Sequence, residues 1–159
     1  MSSLRTRPLL NAAGLCFAAA VLGNVFVLDA YGTWFQSLAK PAFLVRDSVF
    51  YAVAVLYYLI FGTILYRVLT RVQPPQGRRM ALFATILVLG LNELWSVAFF
   101  GSRNALVGFV GMLVFAAALA YLIRILWRRE RFSAFLLLPY AAWVAYDVVW
   151  TFALWRLNP

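Results

Sequence analysis

The stretch LGLNELWSVAFFG, residues 89–101, sets Asn92 and Glu93 side by side among leucines, a tryptophan and phenylalanines. It completes an apolar run over 80–100, about the 20 residues that a hydrocarbon core requires. Four further runs of that kind cover 8–28, 48–70, 105–127 and 133–155. Composition agrees. The 159-residue chain is 65% hydrophobic and 12% charged, with a mean hydropathy of +0.87. Soluble domains are about 45–50% apolar and about 25% charged. These features imply an all-α integral membrane protein, a single domain over 1–159 built as a five-transmembrane-helix bundle. The first run is too long for a signal peptide and lacks a small-residue cleavage site.

The connections are short, with one exception. RVQPPQGRR, residues 71–79, carries Pro74, Pro75 and Gly77, which are expected to break any helix. GSRN, 101–104, is a tight turn that makes the third and fourth helices antiparallel neighbours. The segment from Asp29 to Asp47 is the long loop, and long loops in compact domains are usually functional or disordered. Its Tyr31, Trp34, Phe35 and Phe43 argue for partial order, folded over the helix ends.

Charge sets the topology. The net +9 sits in the short links between runs, which points away from nucleic acid as a partner. Arg5, Arg7, Arg67, Arg71, Arg78, Arg79, Arg124, Arg128, Arg129 and Arg131 fall on one side of a five-helix protein, and Lys40, Arg46, Arg103 and Arg156 on the other. For a bacterial inner-membrane protein, the positive-inside rule predicts that this multi-pass chain has a cytoplasmic N-terminus and an outer C-terminus. The long loop is then outside. One cysteine, Cys16, excludes an internal disulfide and a cysteine metal site. The absence of histidine removes the commonest metal and haem ligand and the usual general base. No metal site is expected.

That orientation brings Phe50, Tyr51, Tyr57 and Tyr58, Asn92, Glu93 and Trp95, and Trp143, Asp147 and Trp150 to the outer halves of three helices, beneath the loop. A cavity is expected there. A carboxylate at a transmembrane helix centre costs about 2.5–3.5 kcal/mol, so Glu93 and Asp147 need hydrogen bonds, water or the interface. Asn92, Trp95, Ser96 and Phe99 share one stripe, with Glu93 rotated about 100° to its edge. Pro139, Trp143, Tyr146 or Asp147, and Trp150 form the facing stripe. Asn92 and Asp147 are expected to bond to one another, with Glu93 beside that group. Small-xxx-small faces at Gly14 and Ala18, or Ala81 and Ala84, suggest a dimer contact.

Three segments together resemble the translocator protein or tryptophan-rich sensory protein family (TspO/MBR), in matching order along nearly the whole chain. WFQSLAKPAF, 34–43, is similar to that family's W-Y-x-x-L-x-K-P-x-W loop, continuing through Phe50, Tyr58 and Gly62. LNELWSVAFFG matches L-N-x-x-W-S-x-x-F-F-G, and LLPYAAWVAYDVVWTFALWRLN resembles P-Y-x-x-W-V-x-F-A-x-x-L-N-x-x-x-W-R-L-N. The resemblance implies a five-helix bundle, usually a homodimer, with a loop-capped pocket for porphyrins and other tetrapyrroles, sterols in some lineages, or aromatic ligands. It carries ligand-binding roles onto Trp34, Lys40, Pro41, Tyr58, Asn92, Trp95 and Trp143, to which position adds Phe50 and Asp147.

Departures from the family pattern point to a repurposed pocket. Ala54 replaces the tryptophan linked to photochemical porphyrin breakdown, and Asp147 replaces a small residue. The loop's W-x-P-P is Phe43, Leu44, Val45 and Arg46, the glutamine before Asn92 is Val88, and the L-N of the fifth helix is Trp150-Thr151. The tyrosine of the sterol-linked C-terminal pattern is missing. The leading expectation is a membrane binding or sensory protein for a conjugated ligand, tetrapyrrole-like or polyene. It needs no cofactor and no chemistry of its own. The alternatives are a structural or interaction subunit of a larger membrane complex, its pocket filled by lipid or a partner's helix, and an enzyme acting on a tetrapyrrole.

Overall fold

The computed structural model describes residues 10–12, 14–16 and 28–159. Among these, all regular structure is helical. A short helix α1, Leu28–Ala30, runs into a π-helical turn, Tyr31–Phe35, and four long helices follow: α2 (Asp47–Arg71), α3 (Pro75–Ser102), α4 (Ala105–Arg129) and α5 (Arg131–Leu157). Each of the four is long and apolar enough to cross a membrane. At about 1.5 Å per residue, even 25 residues exceed the roughly 30 Å hydrocarbon thickness. No more than 33% of any of these apolar windows is buried inside the protein, and side chains such as Leu59, Phe83 and Val55 point outward. Outward apolar side chains of this kind suit a lipid environment.

Most of the expected run 8–28 lies outside the described residues. Its residues 10–12 and 14–16 are helical. Ala12 and Cys16 are buried, and Cys16 Sγ lies 3.7 Å from where a β-carbon on Gly62 of α2 would stand. The first run thus touches α2.

Local chemistry sets the helix ends. Proline breaks a helix only from its interior. Pro75 occupies the first turn of α3, where a missing N–H is no loss, so α3 starts earlier than the expected residue 80. Gly77 also lies inside α3, and the Arg129 guanidinium occupies the space a side chain there would need. Arg103 closes α3 in the left-handed region, φ 49°. Asn104 then caps α4 by accepting from Leu106 N at 2.9 Å and Val107 N at 3.2 Å. Glu130 alone separates α4 from α5 and caps the latter through Ser133 N at 2.8 Å.

Helix α4 packs along both α3 and α5, and α2 lies against α3 and α5. Two apolar clusters result. The larger fills the arginine-rich end and the middle with Phe61, Ile64, Leu65, Leu119, Leu122 and Leu137. The smaller, at the loop end, joins Ala30 and Phe35 to Phe99, Phe100, Trp150 and Leu154. Ala81 and Ala84, offered above as a dimer face, are 0% and 2% exposed in the larger cluster. Their small size serves helix packing within the chain, so that face is spent. Gly14 is exposed, and Ala18 lies outside the described residues.

Candidate functional site

Between the two clusters lies a cavity of about 290 Å³, at the small end of the roughly 300–1,000 Å³ usual for ligand pockets. Tyr57, Tyr140, Met112 and Phe115 line it from the larger cluster, and Phe35, Phe100 and Trp150 from the smaller. Phe50, Tyr58, Asn92, Trp95, Trp143 and Asp147 also line it. Six of the nine expected site residues therefore meet at one place.

The other three, Trp34, Lys40 and Pro41, lie outside the lining. Trp34 packs edge-on against Phe99, centroids 5.2 Å apart, and so fastens the loop segment to α3. Lys40 is exposed, with Nζ donating to Gln36 O at 3.2 Å and standing 5.2 Å from the Phe35 ring centre. Pro41 is buried in a turn, where its carbonyl accepts from Leu44 N at 3.0 Å. Tyr31 and Phe35 take their place at the cavity. The two are four residues apart on the helical segment and stack at 5.3 Å, and Phe35 is wedged between Phe99, Phe100 and Trp150. This part of the expected loop is helical, and that puts Tyr31 and Phe35 on the inward face. Burial pushes the Tyr31 phenol above its ordinary range, with Asp47 adding to the effect, so it stays a donor.

The polar residues pair differently from expectation. Asn92 and Asp147 each have a partner on their own helix. Asn92 Nδ2 donates to Glu93 Oε1 at 3.2 Å, and Trp150 Nε1 donates to Asp147 Oδ1 at 2.7 Å. Glu93 is no bystander, because Tyr58 OH of α2 donates to the same Oε1 at 2.9 Å. One carboxylate oxygen thus ties α2 to α3 behind the cavity wall. An amide and an acid in adjacent positions differ by about 100° in direction; spacing alone could not show that Asn92 turns its amide toward its neighbour.

Trp95 is fixed from two sides. Its Nε1 donates to Gly108 O of α4 at 2.8 Å, and its ring stacks on Phe99 at 5.3 Å. It also borders a second, apolar groove between α3 and α4, of about 470 Å³ and lined by Leu94, Leu106, Val110 and Val114. The indole is the partition between cavity and groove. Sequence reasoning placed α4 but missed its contribution to the cavity, since Met112 and Phe115 are ordinary apolar residues in an apolar run. No group of three His, Cys, Asp or Glu side chains gathers among the described residues.

Comparison with known proteins identifies what the chain is similar to. The model of the TspO/MBR family matches residues 12–156. The chain is 32% identical over 141 residues to the tryptophan-rich protein TspO of Archaeoglobus fulgidus, covering 89% of this chain and 90% of that one. It is 27% identical over 146 residues to a protein of the same name from Chlorobaculum tepidum, at 92% of each chain. With protein CrtK of Rhodobacter capsulatus it shares 24% identity over 144 residues, 91% of this chain and 88% of the relative.

Proposed function

Because the chain belongs to the TspO/MBR family, we propose that it binds or senses a hydrophobic, conjugated ligand, tetrapyrrole-like or polyene, in the cavity beneath the 29–47 segment. The observation that carries this is the lining itself. Tryptophan, tyrosine and phenylalanine rings from α2, α3 and α5 surround one cavity, with Tyr31 and Phe35 contributed by the loop segment. Such rings suit flat π-systems. The arginine bias favours a cytoplasmic N-terminus and an outer cavity in a bacterial inner membrane. A role in transport or stress-linked regulation, as homodimer or as subunit of a larger complex, accords with the family. No catalytic step is invoked.

Purification in mild detergent, followed by absorbance and mass spectrometry of what stays bound, tests the proposal. A retained chromophore, or saturable quenching of tryptophan fluorescence by an added porphyrin or polyene, is expected. Lipid alone, with no quenching, would instead support a structural subunit, a second reading that the lipid-side groove beside Trp95 favours.

A further inference from the structure

The cavity runs against the charge of its own protein. The chain carries +9, yet the described lining contains two acids, Asp47 and Asp147, and no lysine or arginine. The sequence of 17–27 adds no charged residue. The cations assigned to this end lie outside the lining. Lys40 bonds to Gln36, Arg103 pairs with Asp29 at 3.2 Å, and Arg156 stands 5.7 Å from the Trp155 ring centre. Arg46 is exposed just before α2 and outside the lining.

A second feature points to a missing partner. Tyr57 lines the cavity at 2% exposure, and its hydroxyl has no hydrogen-bond partner among the described residues. Buried polar atoms are nearly always satisfied. A buried carboxylate without a counter-charge is also costly, and Asp147, 8% exposed, has an indole N–H as its partner and no cation among the described residues. Phe50, Trp143 and Trp150 line the same cavity, and aromatic rings attract positive charge through their quadrupoles.

We propose that the cavity prefers a flat hydrophobic cation, a conjugated body bearing a protonated amine or iminium, over a carboxylate-bearing ligand of the same shape. The positive charge sits toward Asp147, and a ligand N–H is accepted by the Tyr57 hydroxyl. The aromatic faces hold the apolar body. This rests on the cavity being a ligand site, and it names the sign of the ligand's charge.

The test uses the full chain in phosphatidylcholine nanodiscs, with empty nanodiscs as control and three tricyclic probes read by energy transfer from tryptophan. They are 9-aminoacridine (cationic at neutral pH), anthracene (neutral) and anthracene-9-carboxylate (anionic). The cation is expected to bind about tenfold or more tightly than the anion. Asp147→Asn should remove most of that preference, read as the ratio of cation to anion affinity within the same variant. If anthracene binds while cation and anion bind equally, or the anion more tightly, the charge assignment is overturned and the ligand site stands. A cation preference that survives in Asp147→Asn overturns it as well. If no probe binds above empty nanodiscs, the charge assignment and the ligand site fall together. The wild-type comparison decides the matter even if the variant does not fold.

Discussion

The indole of Trp150 donates a 2.7 Å hydrogen bond to Asp147, three residues earlier on α5, and both side chains are buried, at 3% and 8% exposure. One oxygen of a carboxyl group that is expensive in a membrane-spanning helix thereby gains a donor within its own helix, and the Trp150 ring is held in the cavity wall. Asp147→Asn keeps an acceptor and should cost less than about 1 kcal/mol. Asp147→Leu strands a buried indole N–H and should cost about 1–3 kcal/mol. Thermal melts in nanodiscs read the difference. A leucine variant more stable than wild type would show that the bond contributes nothing net.

Glu130 supplies a pH-dependent clasp at the other end. Arg67 Nη2 donates to Oε1 at 2.7 Å and Nε to Oε2 at 3.1 Å, while the Ser133 backbone and hydroxyl donate to Oε2. The Arg67 guanidinium, assisted by Ser133, holds the Glu130 carboxyl down at about 2, against an ordinary 4.5. A depressed folded-state value means that the stabilisation is complete above pH 4.5 and lost as pH falls toward 2. Glu130→Gln is therefore expected to lose about 1–2 kcal/mol at neutral pH, screening by solvent included. Its stability should fall less steeply than that of wild type below pH 4.5. Parallel acid profiles for the two proteins would count against the clasp.

Two glycines of α4 make room for rings of α3. A β-carbon on Gly108 would collide with the Phe99 ring, and one on Gly111 would meet Trp95 Cδ1 at 2.9 Å. Phe99 is fully buried, so Gly108→Ala should destabilise by about 1–3 kcal/mol through overpacking. Gly111→Ala should displace the Trp95 indole and shift tryptophan emission, with a smaller loss of stability. Unchanged melting in Gly108→Ala would mean that α3 and α4 are not packed this closely.

Trp143 and Trp127 form a matched pair for locating the ligand. Trp143 lines the cavity, 5.5 Å from the Phe50 ring, whereas Trp127 is 41% exposed at the arginine-rich end. Trp143→Phe is expected to remove a measurable part of the quenching caused by a bound porphyrin and to weaken its binding severalfold, by loss of about 0.5–1.5 kcal/mol of ring contact. Trp127→Phe should leave both unchanged. Equal effects of the two substitutions would place the quencher in the lipid.

How much of this could be read from the sequence depends on what each feature needs. The four long helices follow from local facts alone. Backbone groups in lipid must be satisfied internally, so apolar runs of bilayer length become helices, and Asn104, Glu130 and Pro75 place their ends by short-range chemistry. The convergence of Phe50, Tyr58, Asn92, Trp95, Trp143 and Asp147 was legible too, because helix direction and period fix depth and stripe. Partner choice was not. In helices apolar on nearly every face, no polar stripe says which side turns inward, so the contributions of Met112 and Phe115 stayed hidden. Nor does spacing say that Trp34 turns to Phe99 while Tyr31 and Phe35 turn to the cavity, or that Glu93 takes the Tyr58 hydroxyl. Those outcomes depend on distances between helices and on which rings fill the space first. The sequence determined the spans and the depth of each polar group by period and length; the tertiary structure decided who meets whom, because hydrogen bonds and ring packing act over a few ångströms that only the assembled helices set.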